Sequence, residues 1–136
     1  MKTAHASVAI FVISALCLLF ALSFSAKKYF LECDGKIFSQ ENPEAKSATV
    51  FIELNKYPWW ARLWRKSYGS AQIKIAFENY YDFLSDIENN QAGELVLDTP
   101  GKDTQGWLSA ITGEANLTLQ KKTFRGICRR SKKAID

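Results

Sequence analysis

The chain begins with an uninterrupted apolar segment, after which apolar and polar positions alternate. Val8–Leu22 holds fifteen residues without a charged side chain, and only Ser14 in it is polar. A membrane-spanning helix needs about 20 apolar residues, whereas the apolar core of a signal peptide needs about 7 to 15. Ser23 and Ser25 then fit a small-x-small cleavage site. Residues 1–25 therefore predict a signal peptide, and an uncleaved membrane anchor is the alternative.

Two later segments have the period of a β-strand. In Ser47–Asn55, Val50, Ile52 and Leu54 fall on one face, and Ser70–Glu78 alternates in the same way. Asn79–Asn90 fits a short helix. Further short strands are predicted at Tyr29–Cys33, Lys36–Phe38 (after a hairpin turn at Asp34-Gly35), Glu94–Asp98, Trp107–Thr112, Asn116–Gln120 and Thr123–Arg129.

About seven or eight strands at roughly ten-residue spacing favour an antiparallel arrangement over alternating strands and helices. The predicted fold class is therefore mainly β, a single small sandwich or barrel with one or two short helices. It occupies residues 26–136 and follows the N-terminal apolar helix.

Tyr57–Tyr68 (YPWWARLWRKSY) interrupts the alternation between two of these strands. Pro58 stops the strand and is favoured in the first turn of a helix. Because aromatic residues and arginine dominate the energetics of protein interfaces, the segment is a candidate docking surface for a partner protein. A membrane surface, a glycan and a structural cap on the open end of the β core are the alternatives. The candidate surface comprises Trp59, Trp60, Arg62, Trp64, Arg65, Lys66 and Tyr68.

Two cysteines outside the leader lie near the two ends of the predicted domain. If Cys17 is removed with a signal peptide, Cys33 and Cys128 are left. An even pair in an oxidising compartment indicates a disulfide, whereas two free thiols would fit a cytoplasmic orientation. A bond between them would close nearly the whole domain into one covalent loop.

The net charge of the chain is +4, and the basic residues concentrate in the tail from Lys121 to Lys133. Such a tail can dock to anionic lipid or a cell-wall polymer, or it can be a solvated end that keeps the protein soluble. Export makes nucleic acid the least suitable partner.

The residues outside the leader exclude several classes of catalytic and metal-binding site. The single histidine is His5, in the leader, which excludes histidine-dependent nucleophilic catalysis and histidine-ligated zinc in a cleaved form. We therefore predict no catalytic residues, no metal and no cofactor. A small carboxylate hydrolase is the remote alternative, and a solvated acidic face is the simpler explanation of its candidate acids, Glu78, Asp82, Asp86 and Glu88.

The end of the chain carries a family resemblance. Ile111-Thr112-Gly113, Leu117 and Leu119, and then Phe124-x-Gly126-x-Cys128 resemble the closing hairpin of small exported β proteins of Gram-negative bacteria. Many of these are uncharacterised and some are immunity-like or inhibitor-like. The resemblance implies that Cys128 pairs back to Cys33.

These observations together predict an exported, non-enzymatic protein of the bacterial cell envelope that is periplasmic or secreted. Its partner would be another envelope protein, and it would act as an inhibitor or immunity-type factor. The alternative is an accessory or structural protein held in the inner membrane by a single-pass anchor, with the tryptophan segment on the membrane surface.

Overall fold

The computed structural model describes residues 2–23, 27–76, 82–91, 93–98 and 104–132. Its regular elements begin with helix α1 (Lys2–Ser23). Strands follow at β1 (Lys27–Ser39), β2 (Lys46–Lys56), β3 (Gly69–Ile75), β4 (Asp82–Gln91), β5 (Glu94–Asp98), β6 (Thr104–Ser109), β7 (Glu114–Leu119) and β8 (Lys122–Ser131), and a 3-10 helix (Trp59–Leu63) lies between β2 and β3.

The eight strands form one closed antiparallel barrel. Each strand pairs with its neighbours in the sequence, and β1 also pairs with β8 to complete the circle. An interior of this strand number is just wide enough for side chains to fill it or for one small ligand. The prediction of a mainly β, antiparallel fold is confirmed, and the architecture is the barrel.

Strand alternation accounts for the core. Val50, Ile52 and Leu54 of β2 are buried, and the residues between them are only partly buried. The other strands contribute in the same way, because successive side chains point to opposite faces. The largest fully buried side chains are Phe124, Ile52, Ile73, Ile87, Leu97, Leu117, Leu119, Val50 and Cys33.

Helix α1 contains the predicted apolar leader, and its side chains at residues 6–20 are exposed. Within the described ranges, no helix combines the length and the apolar character needed to cross a membrane.

The predicted hairpin turn at Asp34-Gly35 is wrong, because both residues lie inside the continuous strand β1. Gly35 instead pairs with Gly126 of β8. A Cβ on Gly35 would collide with the backbone of Arg125 and Gly126. The glycine therefore allows β1 and β8 to approach closely and does not form a turn.

The predicted helix at Asn79–Asn90 is also wrong. Residues 82–91 form β4, which pairs with β3 and β5, and residues 79–81 lie outside the described ranges. Ser85 and Ile87 are buried while Asp86 and Glu88 are exposed, so β4 does alternate. The serine at a buried position conceals this period in the sequence.

Cys33 and Cys128 form the predicted disulfide. The two residues are register partners on β1 and β8, and their Cα atoms are 3.9 Å apart. Cys33 is fully buried in the core. Because disulfides persist in oxidising environments, the bond indicates a compartment outside the cytoplasm.

An ion pair lies beside the disulfide on the outer face. Asp34 accepts a hydrogen bond from the Thr49 hydroxyl at 2.9 Å and another from the Arg129 guanidinium. The hydrogen bond from Thr49, followed by that from Arg129, lowers the pKa of Asp34 below its ordinary value. Both contacts favour the charged carboxylate and link β1 to its two neighbouring strands.

Removal of the disulfide should strongly destabilise the barrel. The bond joins residues 95 positions apart, and the loop-entropy model assigns roughly 4 to 5 kcal/mol to a closed loop of this size. We expect Cys33→Ala combined with Cys128→Ala to lower the free energy of unfolding by about 3 kcal/mol or more, measured in urea. Both variants are made in the full-length chain, where Cys17→Ser is the control, since Cys17 is free and exposed; an equal loss there would contradict the prediction.

Replacement of Asp34 should change the pH dependence of stability. A lowered folded-state pKa contributes stability that is present above the unfolded pKa of about 3.9 and is lost as the pH falls through the folded value. We therefore expect Asp34→Asn to be less stable than the wild type at pH 7, and the difference to vanish in strong acid. Urea unfolding from pH 7 down to about pH 2 measures it. Glu32→Gln, on the same strand, is the control, and a difference for Asp34→Asn that does not change with pH would refute this prediction.

Candidate functional site

The segment between β2 and β3, residues 57–68, is called the connector below. The backbone N–H of Tyr57 donates to the carbonyl of Tyr68 at 3.0 Å, which closes the base of the connector. The N–H of Tyr68 donates to the carbonyl of Ile87 on β4 at 2.7 Å. The connector is therefore fastened to the barrel wall at its base.

Short-range hydrogen bonds organise the interior of the connector. Pro58, extended at φ −62° and ψ 155°, precedes the 3-10 helix. Its carbonyl accepts from the N–H of Ala61 at 3.0 Å, and the carbonyl of Ala61 accepts from the N–H of Arg65 at 3.0 Å. The predicted helical start at Pro58 is thus realised as a single 3-10 segment.

Two of the three tryptophans of the connector, Trp59 and Trp64, face solvent. Trp59 is 72% exposed, Leu63 71% and Trp64 79%, and none of the residues in the 3-10 helix is buried. Trp60 is half-buried and contacts the edge of Trp64, with ring centroids 6.3 Å apart. The structure does not support the alternative in which these tryptophans cap the β core.

Trp60 also contacts the leader helix. The ring of Phe20 in α1 stacks on Trp60 with a centroid separation of 6.1 Å and an interplanar angle of 26°. Offset stacking at this distance is favourable for aromatic pairs. The connector therefore contacts an aromatic side chain of the apolar helix within the same chain.

Two arginines of the connector are held by tyrosines. The guanidinium of Arg62 lies 4.8 Å from the ring centroid of Tyr68, and that of Arg65 lies 4.9 Å from that of Tyr57. Cation–π contacts of this length restrict both arginines while leaving their donors available. Tyr57 was not among the predicted site residues, because its role depends on a contact that sequence spacing does not indicate.

Lys66 is exposed beside the arginines, next to an open surface cavity of about 590 Å³. Asp86 and Glu88 of β4 form the acidic side of this cavity, and Arg65 and Lys66 form the basic side. The basic charge of the connector is thus partly balanced at its base, while Trp59 and Trp64 are not among the lining residues.

The structure describes the side chains of only two of the four predicted acidic residues. Asp86 and Glu88 are exposed on the outer face of β4, Glu78 lies outside the described residues, and the side chain of Asp82 is not described. Among the side chains that the structure describes, no group of three or more His, Cys, Asp or Glu residues could hold a metal ion.

Most of the predicted basic tail belongs to strand β8. Arg129 pairs with Asp34 on the outer face, whereas Arg130 lies over the ring of Tyr29 with its guanidinium carbon 4.9 Å from the centroid. Lys133 lies outside the described ranges. The tail is therefore largely part of the barrel wall and not a free end.

Comparison with known proteins adds no assignment. No protein-family model matches the chain, and no curated protein or solved structure shows significant similarity to it.

Proposed function

We propose that this protein is an exported, non-enzymatic binding protein of the bacterial cell envelope whose connector docks a partner protein. The observation that carries the proposal is the exposure of Trp59 and Trp64, at 72% and 79%, on a loop fastened to a rigid barrel. Large solvated aromatic surfaces of this kind mark interaction sites. Tryptophan and arginine are the residue types that contribute most to protein interfaces.

The connector is organised in a way that lowers the cost of binding. Arg62 and Arg65 are each held over a tyrosine ring, so less side-chain freedom is lost when a partner docks. Hydrogen bonds at its base and within its turn hold the backbone. A preorganised surface of this type favours specific docking.

The chemistry of the connector identifies the class of partner. Trp59, Leu63 and Trp64 are its exposed apolar side chains, and Arg62, Arg65 and Lys66 are basic and exposed. The complementary surface is a protein with an apolar centre and acidic side chains around it. In the chain that retains residues 1–25, the stacking of Phe20 on Trp60 is an intramolecular example of the apolar part of this contact.

The disulfide and the resemblance of the closing hairpin support the more specific role. The bond between Cys33 and Cys128 favours an oxidising compartment, and for a Gram-negative protein with an export signal that compartment is the periplasm. Since some of the proteins with a similar hairpin are immunity-like or inhibitor-like, we propose that the bound partner is inhibited or neutralised.

Removal of the two exposed tryptophans should abolish docking without unfolding the barrel. We expect Trp59→Ala and Trp64→Ala each to weaken binding of an envelope protein by about 30-fold or more, and the combined variant to weaken it by about 1,000-fold, since hot-spot side chains each contribute about 2 kcal/mol or more. The partner is first identified by crosslinking through a photoreactive residue at position 63, and its Kd is then measured by calorimetry. The unfolding midpoint should stay nearly unchanged because both side chains are exposed.

Phe38→Ala is the matched control, since Phe38 is an exposed aromatic residue near the end of β1 remote from the connector. It should leave the Kd unchanged. Equal affinity of the double-tryptophan variant and the wild type would reject the proposal. Binding to anionic phospholipid vesicles with no crosslinked protein would replace it with membrane-surface docking.

A further inference from the structure

The end of the barrel next to the connector contains an open cavity with two inward-facing cations. On β2 the buried row Val50, Ile52 and Leu54 continues to Lys56. On β8 the row through Phe124 and Cys128 continues to Arg130. Strand alternation directs both cations to the inner face, and both line the cavity. Most other side chains at these inward positions are apolar.

Tyr29 of β1, the strand between β2 and β8, contacts both cations. The ammonium nitrogen of Lys56 is 5.5 Å from the centroid of the Tyr29 ring, and the guanidinium carbon of Arg130 is 4.9 Å from it. Both cations also line the cavity, so an anion at its rim would be stabilised by each of them.

Among the described residues, none that lines the cavity is acidic. The two ion pairs found among the described residues, Lys28–Glu53 and Arg129–Asp34, involve neither Lys56 nor Arg130. The cavity therefore has a positive rim that is not neutralised by these pairs.

Below this rim the cavity is apolar. It has a volume of about 270 Å³, and its apolar wall is formed mainly by Leu31, Leu54, Leu95 and Leu108. This volume lies just below the range of about 300 to 1,000 Å³ for ligand pockets. An apolar wall with a few polar groups at one side is the usual composition of such sites.

We propose that this end of the barrel binds a small organic anion with an apolar body. The acid group lies at the rim beside Lys56 and Arg130, and the apolar body contacts the leucine wall. The site is separate from the docking surface, because no residue of the connector lines the cavity. Failure of one proposal therefore leaves the other intact.

Octanoate is the probe, because it combines a carboxylate with an unbranched apolar chain. We expect calorimetry to show that the full-length protein binds octanoate and binds 1-octanol and octylammonium at least tenfold more weakly. In a leucine-methyl-labelled sample, octanoate should shift the signals of Leu54, Leu95 and Leu108. No binding of octanoate, or equal affinity for 1-octanol, would overturn the proposal.

Substitution of the two cations separates charge recognition from simple partition into an apolar cavity. Lys56→Met and Arg130→Met each keep an apolar stem, and each should weaken octanoate binding about tenfold or more. The matched control is Lys36→Met with Arg125→Met, which removes one exposed cation from β1 and one from β8 away from the cavity lining.

An equal loss in the control pair would show non-specific attraction and overturn the site, as would octanoate-induced shifts confined to the connector. Competition by phosphatidylglycerol vesicles would assign the bound anion to a lipid, and its absence would assign it to a free acid. The unfolding midpoints of Lys56→Met and Arg130→Met should equal that of the wild type. Equal midpoints show that weaker octanoate binding does not result from unfolding.

Discussion

The structure depends on the covalent closure of its last strand onto its first. Seven of the eight strand pairings join consecutive strands, and only the β1–β8 pairing joins the two ends of the domain. Such a distant pairing incurs the largest loop-closure entropy and is the slowest to form. The Cys33–Cys128 bond lies within this pairing and removes much of that entropy from the unfolded state.

Neighbouring contacts support the same closure. Gly35 and Gly126 approach so closely that a side chain on either glycine would collide with the opposite backbone. Asp34 and Arg129 form an ion pair on the outer face of the same region. The closure also pairs β1 and β8 on both sides, so neither presents a free edge on which another chain can add a strand.

Closure fixes the end of the barrel where both candidate surfaces lie. Tyr29 and Arg130 belong to the two strands that the disulfide joins, so their contact depends directly on that closure. The connector begins one residue after β2 ends and is fastened to β4 through the hydrogen bond from Tyr68 to Ile87. The hydrogen-bonded barrel wall thus positions both surfaces at the same end of the domain.

The alternating strands were predictable from sequence because burial on one face leaves a period of two. This applies to β2, β3 and β5, where every second residue is apolar and buried. Asp34-Gly35 misled the prediction because a local turn signal and a close cross-strand contact both require glycine. The contact depends on Gly126, which no local pattern connects to Gly35.

Other features depend on tertiary structure in ways that residue spacing does not encode. Ser85 occupies a buried position of β4, so the alternation of that strand is hidden. Lys56 and Arg130 occupy inward-facing positions. A search for alternating apolar residues does not identify these positions, because both side chains are charged. Exposure of Trp59 and Trp64 is likewise set by where the connector stands on the barrel, not by its composition.

The distribution of charge at this end is consistent with the two proposed ligands on one small domain. Lys56 faces the cavity, whereas Arg62 and Arg65 lie against tyrosines of the connector and are directed by them. Asp86 and Glu88 balance the base of the connector and do not line the cavity. An anion inside the barrel and an acidic protein surface outside it would therefore be recognised by separate sets of cations. The two sets are adjacent in the chain, because β2 ends at Lys56 and the connector begins at Tyr57.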